Sequence, residues 1–220
     1  MLNNIKGAIF DVDGTLLDSM SVWDSVAADY LESRGATAQP DLNDKLLALG
    51  GHEIPRYFQV EYGLCESVDE IHHGIYKLLE EFYLFKVQLK AGVIPVLSAL
   101  RKRGIKMCVA TATDRHLVEP ALRRCCLLEY FGRIFTCGEE KTSKSNPDIY
   151  LRAANFLGTD IKDTLVFEDA PYAIRSAKRA GFPVAAVYDL SAREKQDEIK
   201  ELSDYYLVRM DEMTDLLARY

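Results

Sequence analysis

The sequence lacks an excess of positive charge. Its 220 residues include 27 lysines and arginines against 34 aspartates and glutamates, which gives a formal net charge of −7 at pH 7. Nucleic acids and anionic membrane surfaces attract proteins through basic faces that displace counterions. The charge balance therefore disfavours both classes of partner, and we expect this protein to bind neither.

Long apolar runs and metal-binding cysteine patterns are also missing. No run approaches the roughly 18 apolar residues of a membrane span, and the polar first six residues lack the apolar core of a secretory signal. The 5 cysteines include no Cys-x-x-Cys pair, which disfavours both a disulfide framework and a zinc site. We expect a cytoplasmic protein with reduced thiols.

Proline is scarce, and the composition is that of a folded chain. The sequence has 7 prolines, 48% apolar residues and 28% charged residues, which differs from the polar, low-hydrophobicity composition of disordered proteins. At roughly 150 residues per domain, the length predicts one large domain or one core carrying an insertion. We expect the protein to act as a monomer.

Short segments of apolar and β-branched residues predict the strands of a sheet. They lie at residues 7–12, 106–110, 164–167 and 184–187, with a fifth candidate at 205–208. Because these segments are nearly continuous in their apolar character, they indicate parallel strands that are covered on both faces. Helical patterns separate them. The alternation predicts an α/β fold, a Rossmann-like open parallel sheet with right-handed crossovers.

One long segment interrupts this alternation. From about Leu16 to Leu89 the sequence has helical periodicity and no convincing strand. We therefore predict a core formed by residues 1–15 and 90–220, with an all-helical cap domain inserted at residues 16–89.

Polar residues collect where the predicted strands end. In an open α/β sheet, ligands bind outside the carboxyl ends of the strands. Polar residues come at the ends of three predicted strands: Asp11, Asp13, Gly14 and Thr15 follow the first strand, Thr111 and Thr113 follow the second, and Glu168 and Asp169 follow the third. A lysine, Lys144, precedes a helix that begins near Pro147. Close carboxylates repel one another unless a cation lies among them. Oxygen ligands of this kind suit Mg²⁺, so the sequence predicts a magnesium site at this edge.

These motifs resemble those of the haloacid dehalogenase superfamily of aspartate-nucleophile phosphotransferases. The sequence DVDGT at residues 11–15 is similar to the first family motif, and Thr111 resembles the second. Lys144 is similar to the third motif, and Glu168 with Asp169 resembles the fourth. All four occur in the family's order. The helical insertion after the first motif resembles the cap of the subgroup that includes phosphoglycolate phosphatases and β-phosphoglucomutase.

The resemblance implies a catalytic role for four residues. Asp11 would attack phosphorus and Asp13 would act as general acid and base. Thr111 would donate a hydrogen bond to the phosphoryl group, and Lys144 would stabilise its charge. Because Asp13 supplies an acid for an alkoxide leaving group, the expected reaction is transfer from a phosphate ester.

The resemblance also implies the ligands of the metal and of the phosphate group. Mg²⁺ would be bound by Asp11, Asp13 through its main-chain carbonyl, Asp169, and Glu168 directly or through water. The phosphate-binding residues would be Gly14, Thr15, Thr111, Ala112 and Lys144, with Thr15 also orienting Asp13. The substrate would be a small phosphorylated metabolite.

The sequence departs from the family pattern at a few positions and leaves alternatives open. Ser143, Ser145 and Asn146 surround Lys144 in place of the usual Gly and Pro, and Lys141 competes for the role of the lysine. The mutase relatives have a cap histidine and arginine, whereas this chain has Trp23 and no evident basic residue at positions 50–53. We expect a phosphatase, with a phosphomutase as the alternative and a catalytically silent binding module as a further one.

Overall fold

The computed structural model describes residues 2–47, 49 and 53–218. The chain divides into two compact units, one formed by Met1–Ser19 with Val87–Tyr220 and the other by Met20–Lys86. We call the first the core unit and the second the helical unit. The sequence shows no evident basic residue at positions 50–53. Of these four positions, 50–52 lie outside the described residues.

The strands found among the described residues belong to the core unit. In chain order they are β1 (Gly7–Phe10), β2 (Leu17–Asp18), β3 (Gln88–Leu89), β4 (Lys106–Thr111), β5 (Ile134–Thr136), β6 (Thr164–Glu168), β7 (Val184–Val187) and β8 (Tyr205–Leu207). Six of them form a parallel sheet in the order β5-β4-β1-β6-β7-β8. The short β2 and β3 pair antiparallel in a separate two-stranded sheet. The predicted Rossmann-like parallel sheet is thus confirmed.

The α-helices divide between the two units. Those of the helical unit are α1 (Met20–Ser33), α2 (Leu42–Leu47), α3 (Ile54–Tyr62) and α4 (Val68–Glu81). Those of the core unit are α5 (Val93–Lys102), α6 (Arg115–Arg124), α7 (Cys137–Glu140), α8 (Asp148–Leu157), α9 (Pro171–Arg179), α10 (Gln196–Leu202) and α11 (Glu212–Ala218). No helix among the described residues is long and apolar enough to cross a membrane.

Strand β1 lies in the middle of the sheet, and its four residues are all buried. Its last residue, Phe10, is in register with Val109 of β4 on one side and Phe167 of β6 on the other. The ring of Phe10 stacks on that of Phe167, with centroids 4.3 Å apart. This register places Asp11, the next residue after β1, beside the carboxyl ends of both neighbouring strands.

Helix α8 shows how periodicity sets the packing against the sheet. Ile149, Ala153 and Leu157 recur every fourth residue and are buried, as the sequence predicts. The helix ends at Gly158, whose φ of 66° is a left-handed conformation that glycine adopts without a steric cost. The buried face belongs to an apolar cluster of the core unit. The packing of this face against the sheet fixes the position of the first turn of α8.

The helical unit has an apolar core of its own. Tyr30, Leu31, Phe58 and Ile71 are buried together there. A Cβ at Gly74 would lie 2.4 Å from the Cε2 atom of Tyr30, so the glycine lets α4 approach that ring closely. The periodicity that predicts helices in this segment is confirmed by α1 to α4.

Strand β5 is missing from the sequence prediction. It has only three residues, Ile134 to Thr136, and lies at the edge of the sheet. Its apolar run lasts only two residues, too few to distinguish a strand from a loop, whereas the candidate at residues 205–208, apolar throughout, is confirmed as β8. The two-residue strands β2 and β3 escape sequence analysis for the same reason.

Candidate active site

Three buried carboxylates meet at the carboxyl end of the central strands. Asp11 follows β1, Glu168 ends β6 and Asp169 comes next in the chain. Each offers an oxygen atom, and these oxygens lie within 4.8 Å of one another. The side chains are nearly inaccessible, with 7%, 0% and 3% of their residue surface exposed. The parallel register of β1 with β6 is what brings them together.

Lys144 is the cation of this cluster. It lies between α7 and α8, and only 3% of its surface is exposed. Its ammonium group forms ion pairs with the Oδ1 atom of Asp11 and, at 2.5 Å, with the Oε1 atom of Glu168. Lys141, the competing lysine, is exposed. The structure therefore places Lys144 among the acids.

The buried charges perturb one another. Burial raises the pKa of Asp11 to about 7, with the Lys144 ammonium opposing the rise and the Glu168 charge adding to it. Burial, and then the charges of Glu168 and Asp11, hold the pKa of Asp169 well above its usual range. Although burial lowers the pKa of Lys144, the charges of Asp11 and Glu168 outweigh it and raise that pKa. One ammonium does not fully compensate three carboxylates, so the cluster can accept further positive charge.

The carboxylate of Glu168 is held by four hydrogen-bond donors. Its Oε1 atom accepts from Lys144 at 2.5 Å and from the Tyr150 hydroxyl at 3.0 Å. Its Oε2 atom accepts from the main-chain N–H groups of Asp169 at 3.0 Å and Ala170 at 3.1 Å. Tyr150 is absent from the predicted site residues. It lies on α8, 18 positions before Glu168 in the chain. A tyrosine at a buried helical position is a weak signal, because the ring alone accounts for it.

Gly14 and Thr15 both lie against Asp169. A Cβ at Gly14 would be 2.4 Å from the Oδ2 atom of Asp169, and the φ of Gly14 is +79°. The Thr15 hydroxyl donates to the Oδ1 atom of the same carboxylate, at 3.2 Å. The structure thus records the Thr15 hydroxyl in contact with Asp169, whereas the resemblance predicts that Thr15 orients Asp13.

Asp13 is half-buried and accepts two hydroxyl groups. Ser19 donates to its Oδ1 atom at 2.6 Å, and Thr113 donates to its Oδ2 atom at 2.7 Å. Ser19 is absent from the sequence prediction, although it follows the DVDGT motif closely. Two hydrogen bonds to different oxygens fix the plane of this carboxylate.

The remaining predicted residues lie at the end of β4. Thr111 is buried, and its hydroxyl accepts the main-chain N–H of Thr113 at 3.1 Å. Ala112 is exposed and comes between them. Because β4 neighbours β1 in the sheet, this segment shares its edge with Asp11.

Comparison with known proteins agrees with this arrangement. A sequence model of the haloacid dehalogenase-like hydrolases matches residues 5–181. The chain is 24% identical over 177 residues to the phosphorylated carbohydrates phosphatase of Thermotoga maritima, covering 80% of this chain and 82% of that protein. It is 28% identical over 208 residues to (DL)-glycerol-3-phosphatase 2 of Arabidopsis thaliana, covering 89% and 86% of the two chains.

The fold also recurs among solved structures. That of CbbY from Rhodobacter sphaeroides in complex with phosphate superposes with a TM-score of 0.74 at 22% identity, covering 95% of this chain and 96% of the other. The family match spans the segments that carry Asp11, Thr111, Lys144 and Asp169. The chain belongs to the haloacid dehalogenase-like hydrolase family.

Proposed function

We propose that this protein is a Mg²⁺-dependent phosphatase that hydrolyses small organic phosphate monoesters through a phosphorylated Asp11. The observation that carries the proposal is the cluster of Asp11, Glu168 and Asp169 with Lys144, buried at the carboxyl end of the central strands. Ordinary polar residues at strand ends face water. These four instead lie close to one another and out of solvent.

The donor set fits a hard divalent cation. Burial and mutual repulsion raise the pKa values of Asp11 and Asp169, and oxygen donors of this type are those that Mg²⁺ prefers. The carboxylates of Asp11 and Asp169 and the main-chain carbonyl of Asp13 would hold the ion. Glu168, whose oxygens are engaged by four donors, would act on it through water. A bound Mg²⁺ would reduce the repulsion between Asp11 and an anionic phosphate.

The residues of the chain divide the chemistry between them. A carboxylate oxygen of Asp11 forms a bond to phosphorus while the bond from phosphorus to the ester oxygen breaks. Asp13 gives its proton to the departing oxygen. It then takes a proton from the water that attacks the phosphorylated Asp11, which releases inorganic phosphate and restores both carboxyl groups.

The phosphoryl group is held from two further sides. The Thr111 hydroxyl and the Ala112 main-chain N–H would donate hydrogen bonds to its oxygens. Lys144 would supply a positive charge that stabilises those oxygens during transfer. Gly14 and Thr15 contribute by keeping Asp169 in place.

The proposed substrate is a small phosphorylated metabolite. Relatives named for phosphorylated carbohydrates and for glycerol-3-phosphate support this class. The net charge of −7 supports the further proposal that nucleic acids and anionic membranes are not partners. We also propose that the protein acts as a cytoplasmic monomer.

Phosphate release across a panel of esters tests the proposal. With Mg²⁺ present, we expect release of inorganic phosphate from one or a few members of a panel of sugar phosphates, glycerol phosphates, phosphoglycolate and nucleotides. EDTA should abolish the release and added Mg²⁺ should restore it. Asp11→Asn should lower kcat by at least about a thousandfold. The matched control is Asp41→Asn, which alters an exposed aspartate of the helical unit and should leave the rate unchanged.

Two outcomes would contradict the proposal. The first is release that persists in EDTA, since the carboxylate cluster would then need no cation. The second is conversion of a sugar phosphate to its isomer without free phosphate, which would indicate a phosphomutase.

A further inference from the structure

The buried tyrosine at position 150 does more than fill the core. We infer that Tyr150 is a positioning residue, which orients Glu168 through its hydroxyl and thereby holds Lys144 where the phosphoryl group binds. The inference rests on the proposed function. The hydrogen bond that the structure records for the Tyr150 hydroxyl is to Glu168, so we expect its effect on turnover to pass through Glu168 and Lys144.

The acceptor positions of the Glu168 carboxylate are all occupied. A carboxylate has about four lone-pair positions, and here four donors occupy them: the ammonium of Lys144, the hydroxyl of Tyr150 and the two N–H groups of Asp169 and Ala170. The N–H groups fix the Oε2 side to the main chain after β6. Tyr150 and Lys144 fix the Oε1 side. The rotation of the carboxylate is therefore set from both ends.

The position of Lys144 depends on how Glu168 is oriented. Its ammonium is shared between Oε1 of Glu168 and Oδ1 of Asp11. Oε1 of Glu168 has two acceptor positions, and the Tyr150 hydroxyl donates to one of them. Lys144 therefore donates to the other position alone. Without the hydroxyl, that oxygen would have a free position, and the Glu168 carboxylate could turn and draw the ammonium towards itself. Lys144 would then be less available to Asp11 and to a phosphoryl group.

Helix α8 fixes the position of the Tyr150 side chain. Tyr150 lies in the first turn of this helix and is fully buried, with its ring in the apolar cluster that α8 forms with the sheet. Its ring centroid is 6.2 Å from that of Phe182. Phenylalanine would satisfy this packing equally well. The hydroxyl is thus the part of the side chain that packing does not require, and it is directed at a carboxylate.

Tyr150→Phe isolates the hydroxyl. With p-nitrophenyl phosphate and Mg²⁺, we expect kcat to fall about tenfold with KM changed less than about twofold, the scale usual for groups that orient a site residue. Orthovanadate, a mimic of the transferring phosphoryl group, should bind about fivefold more weakly by calorimetry in the presence of Mg²⁺. Tyr206→Phe is the matched control, because it also removes a tyrosine hydroxyl that donates a hydrogen bond, here to Gln196 at 2.7 Å. Tyr206 lies on β8, at the far edge of the sheet from β5.

A double-mutant cycle tests the route through Glu168. In a Glu168→Gln background, Tyr150→Phe should cost less than about twofold in orthovanadate affinity, because the carboxylate through which it acts is gone. Equal and additive losses in the two backgrounds would overturn the inference. So would a Tyr150→Phe variant that has a lowered melting temperature but the kcat and orthovanadate affinity of the wild type, since the hydroxyl would then be structural only.

The design separates this inference from the proposed function. If the wild type releases phosphate and Tyr150→Phe matches it, only the role of Tyr150 is wrong. If the wild type releases no phosphate but binds orthovanadate with Mg²⁺, and Tyr150→Phe weakens that binding, the proposed turnover is wrong and the positioning role stands. If the wild type neither turns over nor binds orthovanadate, both are wrong.

Discussion

Single residues decide the geometry of the carboxylate cluster, and Gly14 shows how. Its φ of +79° is one that residues with a Cβ rarely adopt, and a Cβ there would lie 2.4 Å from the Oδ2 atom of Asp169. Gly14 belongs to the DVDGT motif, and the family resemblance implies that it binds phosphate. The close approach in the structure is to Asp169, which a one-dimensional pattern does not reveal because the two residues are far apart in the chain.

Gly14→Ala should therefore harm activity more than stability. We expect kcat to fall at least about tenfold because the new methyl group displaces Asp169, and the free energy of unfolding to fall by about 1–2 kcal/mol from the strained backbone. Gly35→Ala is the control, since Gly35 has a φ of +77° and no atom lies within 4 Å of the position that a Cβ would take there. That variant should show a similar stability loss and full activity. Equal kcat values for the two variants would contradict this account of Gly14.

At the scale of elements, an ion pair ties the segment after β3 to the segment after β7. Lys90 donates to the carboxylate of Asp189 and to the main-chain carbonyl of Tyr188, at 2.6 Å and 2.7 Å. Ser191 donates its N–H and its hydroxyl to the other oxygen of Asp189. Burial alone would raise the pKa of Asp189, but these donors outweigh it and lower that pKa.

The lowered pKa of Asp189 predicts a pH-dependent contribution to stability. A carboxyl whose folded pKa is depressed stabilises the fold above its unfolded pKa of about 4, and this contribution is lost as the pH falls towards the folded value. Asp189→Asn should cost about 2 kcal/mol of unfolding free energy at pH 7, and the difference from the wild type should shrink below about pH 4.

Urea denaturation at several pH values measures this difference. Asp41→Asn serves as the control, because its pair with Lys45 is exposed and should contribute less than about 1 kcal/mol. A difference between wild type and Asp189→Asn that stays constant from about pH 7 down to about pH 3 would contradict the account.

The sequence predicts the elements that have a pattern of sufficient length. The strands at β1, β4, β6 and β7 are each at least four residues long and nearly all buried, so their apolar runs identify them. The three residues of β5 do not form such a run. Side-chain hydrogen bonds are less predictable still: Ser19 and Tyr150 contact Asp13 and Glu168 because of how the chain folds, and neither has a sequence signal beyond its residue type.

At the scale of the whole molecule, the site depends on segments that are distant in the chain. Asp11 follows β1, Lys144 precedes α8, and Asp169 follows β6. The parallel sheet brings these three residues to one edge. The order of the four motifs along the sequence predicts this convergence. The family match over residues 5–181 agrees with it. We propose that this convergence makes Asp11 a nucleophile.

Trapping the phosphorylated protein shows which residue is the nucleophile. The enzyme is mixed with Mg²⁺ and its best substrate, quenched in acid during turnover, reduced with borohydride and mapped by peptide mass spectrometry. Borohydride converts an aspartyl phosphate to homoserine, and we expect homoserine at position 11, dependent on substrate and Mg²⁺. Reduction at a different aspartate, or phosphate release at the wild-type rate by Asp11→Asn, would contradict that expectation.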